Sequence, residues 1–363
     1  MKRSVRWTTF ATVAATFFVV AGLVGCSGGS SAPKDEAPTP AATGGQTSAK
    51  PGGKALKIGV VFDSGGRGDK SFNDSAWAGI EEAKTKYGIE ASSVESKSEK
   101  DYATNLSALA EQGNDLVIAV GLNQGAALKQ VSAEYPDVKF AIVDGDVKAD
   151  NVRMLKFREE EGSYLVGYLA GLESKTGKIG FVGGMDLPLI RKFLYGYMAG
   201  AKAANPKIEV LPPKFTGNWD DVNQAKAAAG ILYQQGADVI YHAAGRAGLG
   251  VIEAAKEAKK YAIGVDSNQD ELAPGRVLTS MVKRVDQAVL QTIADLTEGK
   301  FSAGERIYDL KAGGVGTTDF KFTKAQIPAE HLTQLEGIAE AIRSGKTVIP
   351  SDAKELAAFA GAG

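Results

Sequence analysis

Across 363 residues, 42 Lys and Arg stand against 43 Asp and Glu, for a formal net charge of -1, and there is a single Cys. That balance gives no mark of a nucleic-acid partner, and a lone Cys excludes a disulfide framework. The length suits two domains once the atypical N-terminus is set apart.

The chain begins with a positive segment, Lys2, Arg3 and Arg6, then an apolar run from Thr8 to Val24 that ends in Leu23-Val24-Gly25-Cys26. A charged start, a short apolar core and small residues before a cleavage point describe a secretory signal, expected over residues 1–25. Leu-Val-Gly-Cys resembles the lipobox of bacterial lipoproteins. The resemblance implies that Cys26 is lipidated, with palmitate among the acyl chains, and becomes the new N-terminus. Each buried CH₂ of such a chain contributes about 0.8 kcal/mol of membrane affinity. Residues 26–56 are Gly, Ser, Ala, Pro and Thr with almost no large apolar side chain. They read as a flexible tether with a reach of roughly 30 Å.

From Lys57 onward, short apolar runs ending at Gly or Asp alternate with helical patterns. The first half gives strands at Lys57–Val61, Asp115–Val120 and Val138–Val143. Its helices are Phe72–Tyr87, Tyr102–Gln112 and Gln124–Tyr135. The second half gives strands at Lys178–Val182, Asp238–His242 and Tyr261–Val265. Its helices are Leu189–Ala204, Asp220–Gln235 and Gly248–Lys259. The halves repeat. Lys57 and Lys178 are 121 residues apart, Asp115 and Asp238 are 123 apart, and Asp144 and Asp266 are 122 apart. The strings match as well: KIGVV with KIGFV, QGNDLVIAVG with QGADVIYHAAG, FAIVDGD with YAIGVDSN. Two copies of one α/β unit account for this, each with a parallel sheet. The run Arg158-Glu159-Glu160-Glu161 reads as a solvated helix start. Beyond Asp266 a strand at Val277–Val282, a helix, another strand and a last helix cross back over both lobes. The expected division is 57–156 plus about 283–312 for lobe 1, and 157–282 plus about 313–350 for lobe 2.

Ligands of open parallel sheets bind beyond the carboxyl ends of the strands. In the first half those ends carry Asp63, Gly121-Leu122-Asn123 and Asp144. In the second half they carry Gly183-Gly184, Ala243-Ala244-Gly245 and Asp266, and Lys283 follows Val277–Val282. Any one Asp there is an ordinary turn residue. As a set, surrounded by glycines, they point to a polar ligand site. The loop Gly65-Gly66-Arg67-Gly68-Asp69-Lys70-Ser71 comes close to a phosphate loop, but Asp69 stands where G-x-x-x-x-G-K-[ST] requires Gly. A carboxylate there repels phosphate. Ser71 reads as the N-cap of the following helix, with Asp74 in its first turn. Phe72 stands at the mouth of the first strand, where an aromatic can stack on a flat ligand, and Asn73 beside it can both donate and accept hydrogen bonds.

The segment KIGVVFDSGGRGDKSFNDSAWAGIEEA resembles the start of the basic-membrane-protein family. FVGGMDLP, GNWDD, QGADVIYHAAGRAGLGVIEAA, AIGVDSNQ and VLTSMVKRVDQAV continue the likeness in order, from Lys57 to about Leu296. The resemblance implies a type I periplasmic-binding-protein fold, with two doubly wound lobes on a multi-strand hinge. It implies a nucleoside-binding lipoprotein of an ABC importer, partnered by a permease and its ATPase, held at the membrane by its lipid, monomeric and without cofactor or metal. It further implies that Phe72 stacks on the base, that Asn73 and Asp144 bond its edge, that Asp63, Asp266 and Lys283 hold ribose hydroxyls, and that Gly245 lines the other lobe. Trp219 and His242 are the candidates for a second aromatic wall. Residue types alone leave a sugar carrier or sensor open, since sugar sites use the same groups. An enzyme is disfavoured: there are only two His, and no metal-ligand spacing appears.

Overall fold

The computed structural model describes residues 55–359. The expected signal peptide and most of the tether, Cys26 included, lie outside the described residues. Among the described residues no helix is long and apolar enough to cross a membrane.

In chain order the first half holds β1 (Lys57–Phe62), α1 (Phe72–Tyr87), β2 (Glu90–Glu95), α2 (Tyr102–Glu111), β3 (Leu116–Val120), α3 (Gly125–Glu134), β4 (Lys139–Val143) and β5 (Val152–Phe157). The second holds α4 (Glu159–Glu173), β6 (Lys178–Gly183), α5 (Pro188–Ala204), β7 (Glu209–Val210), β8 (Lys214–Phe215), α6 (Val222–Gln234), β9 (Val239–Ala243), α7 (Leu249–Ala258), β10 (Tyr261–Asp266) and β11 (Val277–Lys283). The remainder is α8 (Val285–Thr297), β12 (Gly304–Tyr308), β13 (Val315–Thr317), α9 (Ala329–Arg343) and α10 (Ala353–Ala358).

Two sheets result. One runs β12-β5-β4-β3-β1-β2, the other β13-β11-β10-β9-β6-β7, with β8 also on β6. All pairings are parallel except that of β11 with β13. The inner strands β3 and β9 are buried along their whole length. Helices cover both faces, so such strands read as unbroken apolar runs. Two strands of the first half carry no such signal. The edge strand β2 (EASSVE) has no buried residue. The run of β5 is interrupted by Arg153 and Lys156. Arg153 is nevertheless 1% exposed. Its Nη1 donates to Asp295 at 2.7 Å and its Nε to the Ser302 carbonyl at 2.9 Å.

The chain passes between the sheets three times: β5 to α4, β11 to α8, and β12 to β13. The passages run side by side. Arg158 N donates to the Tyr308 carbonyl at 3.1 Å and Arg284 N to the Gly314 carbonyl at 2.8 Å. The rings of Phe157 and Tyr308 stack with centroids 5.3 Å apart. The result is a three-segment hinge. Helix packing repeats between the halves. Gly79 of α1 and Gly200 of α5 lie 121 residues apart, and a Cβ on either would overlap backbone, of Asp286 at the start of α8 and of Tyr164 in α4 respectively.

At the start of α1 the observed cap differs from the expected one. Asp69, not Ser71, supplies the carboxylate. It accepts from the N–H groups of Ser71 at 2.9 Å, Asn73 at 2.8 Å and Asp74 at 3.1 Å. Because Asp69 takes the N–H groups of the first turn, the Ser71 hydroxyl is free to donate elsewhere. Asp69→Ala is therefore expected to cost about 1–2 kcal/mol of stability, read as a lower urea midpoint at unchanged slope. A change within about 0.5 kcal/mol, the behaviour of an inert surface position, would remove Asp69 as the cap.

Candidate functional site

The carboxyl ends of both sheets face a cavity that encloses about 600 Å³ of atom-free space, mouth included. Of the sequence-predicted residues, Asp63, Phe72, Asn73, Asp144, Trp219, Gly245, Asp266 and Lys283 line it. His242 does not.

Lobe 1 contributes a network around Asp63. Its Oδ1 accepts from Gly65 N and from Asn73 Nδ2, both at 3.0 Å. Gly121 (φ 120°) lets the Asp63 carboxylate approach: a Cβ there would stand 3.0 Å from Oδ2. Burial raises Asp63 to about 6, against the pull of its hydrogen bonds to Asn73 and Gly65. Asn73 Nδ2 also reaches Asp69 at 3.1 Å. Its Oδ1 is buried with no partner among the described residues. An acceptor in that state invites a donor from a ligand.

At the hinge, one ammonium serves several carboxylates. Lys283 Nζ donates to Asp144 at 2.7 and 2.8 Å and lies 3.0 Å from Glu159 Oε1. Asp144 and Lys283 are 7% and 1% exposed, and Glu159 and Glu160 are 1% and 2% exposed. Glu159 and Glu160 at the head of α4 are thus buried, not solvated as expected, while Arg158 is exposed and Glu161 half-buried. Cations supply the reason: Lys283 for Glu159, with Lys192 at 3.8 Å, and Arg158 for Glu160 at 3.4 Å. The helix N-terminus adds its own positive end. Burial alone would lower the Lys283 ammonium, but Asp144, Glu159 and Asp266 more than offset this and hold it above its ordinary value. Burial raises Asp144 even with Lys283 pulling it down. Burial also raises Asp266 to about 7, against the pull of Lys283 and of the Ser71 hydroxyl. That hydroxyl donates to Asp266 Oδ2 at 2.6 Å across the cleft. Asp144 and Asp266, equivalent in the repeat, both sit in the left-handed region, at φ 68° and 63°. Non-glycine residues held there cluster at functional sites.

Two aromatics come from lobe 2. Trp219 lines the cavity from the loop before α6, where Gly184 makes room, since a Cβ there would overlap its ring. Phe193 of α5 is the second, and residue-by-residue reading missed it. The Phe72 and Phe193 centroids lie 5.4 and 5.5 Å from Lys283 Nζ. The signal was present, because Phe193 follows Phe72 by the same 121 residues that separate Lys57 from Lys178. His242 is a correction. Side chains alternate along a strand, and Ala243 faces the cavity, so His242 points into the opposite face of β9. It is fully buried, its Nε2 lies 3.0 Å from Gln269 Oε1, and burial lowers it to about 4. It is a neutral core residue.

Two parallel-sheet lobes on a three-segment hinge, with a polar, aromatic-walled cavity between them, define a type I periplasmic binding protein. The family model described as ABC transporter substrate-binding protein PnrA-like matches residues 56–351, and the chain belongs to that family. It is 36% identical over 311 residues to Basic membrane protein A of Borreliella afzelii, covering 84% of this chain and 94% of that relative. It is 38% identical over 298 residues to an uncharacterized lipoprotein of Pyrococcus abyssi, covering 77% and 73%. A crystal structure of an ABC transporter solute-binding protein from Aeropyrum pernix K1 superposes with a TM-score of 0.77 at 30% identity, over 84% of this chain and 96% of that one. Membership implies a small-molecule ligand and a partner permease with its ATPase.

Proposed function

We propose that the cleft binds one nucleoside and that the chain, a monomer anchored outside the membrane through lipidated Cys26, delivers it to the permease. The carrying observation is the pair of phenyl rings, Phe72 from lobe 1 and Phe193 from lobe 2, lining one cavity with hydrogen-bond acceptors around them. A flat base fits between rings. Its N–H edge suits the unpartnered Asn73 Oδ1 and the Asp144 carboxylate. Ribose hydroxyls can donate to Asp63 and Asp266, with Lys283 holding the floor. Four carboxyl groups, Asp63, Asp69, Asp144 and Asp266, line the cavity against one ammonium, which disfavours phosphorylated forms. Lobe closure follows because each half of the site sits on a different lobe.

The test is mass spectrometry of small molecules released from the purified protein, followed by calorimetry with adenosine, guanosine, cytidine and uridine. A nucleoside should come off, and at least one of the four should bind. A sugar or amino acid coming off instead, with no nucleoside binding, would overturn the reading.

A further inference from the structure

The N–H groups of Gly65 to Gly68, in the glycine loop beside Asp63, are all taken, which leaves none of these four for an anion. Gly65 N donates to Asp63 Oδ1 at 3.0 Å, Gly66 N to the Asp63 carbonyl at 3.1 Å, Arg67 N to Glu95 at 3.3 Å and Gly68 N to Asp74 at 2.8 Å. What the loop presents outward is carbonyl oxygen. Arg246, from the turn of lobe 2 that follows β9, donates Nε to the Gly65 carbonyl at 2.9 Å and Nη2 to the Arg67 carbonyl. A φ of 60° at Gly66, between those two carbonyls, turns both toward one guanidinium. A Cβ at Gly66 or Gly68 would stand 3.6 or 3.9 Å from Nη2. The planar fork of Arg suits two carbonyls held side by side, and the single ammonium of Lys does not.

The contact joins the two halves of the cavity wall. Gly245, next to Arg246, lines the cavity from lobe 2, and Gly65 lines it from lobe 1. Gly65 in turn holds Asp63. We propose that Arg246 is a cross-lobe positioning residue for ligand binding: on closure its guanidinium seats the loop Ser64–Gly68 over the cavity and thereby fixes Asp63. The proposal rests on reading the cleft as the ligand site. Four other bonds cross at the far end of the loop: Ser71 Oγ to Asp266 and, at 3.4 Å, to the Val265 carbonyl, Ser267 Oγ to the Ser71 carbonyl at 2.9 Å, and Gln269 Nε2 to the Lys70 carbonyl at 3.1 Å. The lobes can therefore still close without Arg246, and its loss falls on the loop end beside Asp63.

The experiment is stopped-flow binding of adenosine, guanosine, cytidine and uridine to the wild-type protein, to Arg246→Gln and to Arg246→Lys. Charge-assisted hydrogen bonds at a partly exposed site set the scale, so Arg246→Gln is expected to release whichever nucleoside the wild type retains about tenfold faster. Association rate and unliganded melting temperature should stay unchanged. Arg246→Lys, with the charge but not the fork, should fall between. Equal release rates in all three proteins would overturn the proposal, as would a fall in the unliganded melting temperature that accounts for the loss. If none of the four binds the wild type, the nucleoside reading fails on its own. The same release comparison, made with the compound that mass spectrometry identifies, then decides Arg246 separately.

Discussion

Lys283→Met is expected to destabilise the protein by about 3–5 kcal/mol, the cost of stripping the cation from a buried ion pair. Methionine fills much of the same volume, so the loss is electrostatic rather than a cavity effect. Asp144 and Glu159 would be left buried without the ammonium that now lies within 3.0 Å of each. The effect carries a pH signature. Asp144 is already raised by burial, and Lys283 pulls it down. Without Lys283 its folded pKa rises further above the unfolded value. A group of that kind favours folding below its unfolded pKa and loses that contribution as pH rises through the folded pKa. The penalty of Lys283→Met should therefore be largest near about pH 8 and shrink toward about pH 5. Urea unfolding of both proteins at several pH values checks this. A pH-independent difference would show that the ion cluster is not the cause.

Phe72→Ala is expected to weaken nucleoside binding by about 1–3 kcal/mol, the range for base–aromatic stacking, or about 5- to 150-fold in Kd. Phe72 is only half buried, so the folded state tolerates the change better than the complex does. Calorimetry gives Kd directly, and an unaltered Kd would take Phe72 out of the site. Phe193 sits on the opposite lobe and is 3% exposed. Truncating it would mix binding with packing, which makes Phe72 the cleaner probe.

Legibility in the sequence followed burial. Strands covered on both faces, such as β1, β3 and β9, announce themselves as apolar runs. The half-to-half repeat follows from them. What failed to show has physical reasons. β2 is an exposed edge strand and lacks apolar signal. β5 hides a buried Arg153 whose partner Asp295 lies 142 residues away, and no local pattern reveals such a pairing. The burial of Glu159 and Glu160 depends in the same way on Lys283, Lys192 and Arg158. Of the site, residues at strand ends were legible because topology puts strand ends at the cleft. Phe193 lies in a helix, where position along the sheet gives no cue. His242 misled because an aromatic one residue before a strand's end faces away from the cavity, while Ala243 faces toward it.

The repeat that places Phe193 opposite Phe72, and Asp266 opposite Asp144, makes the cavity nearly a palindrome. A nucleoside is not one. Matched rings and matched carboxylates would accept it head first or tail first with equal ease. Its direction has to be written by the mismatched positions. Asp63 corresponds to Gly184, and Asn73 to Leu194, each pair 121 residues apart. Where one half offers a carboxylate and an amide, the other offers a glycine covered by the Trp219 ring and a buried leucine that does not line the cavity. On the proposed nucleoside reading, the duplicated residues would grip and the diverged ones would assign which end of the ligand is which.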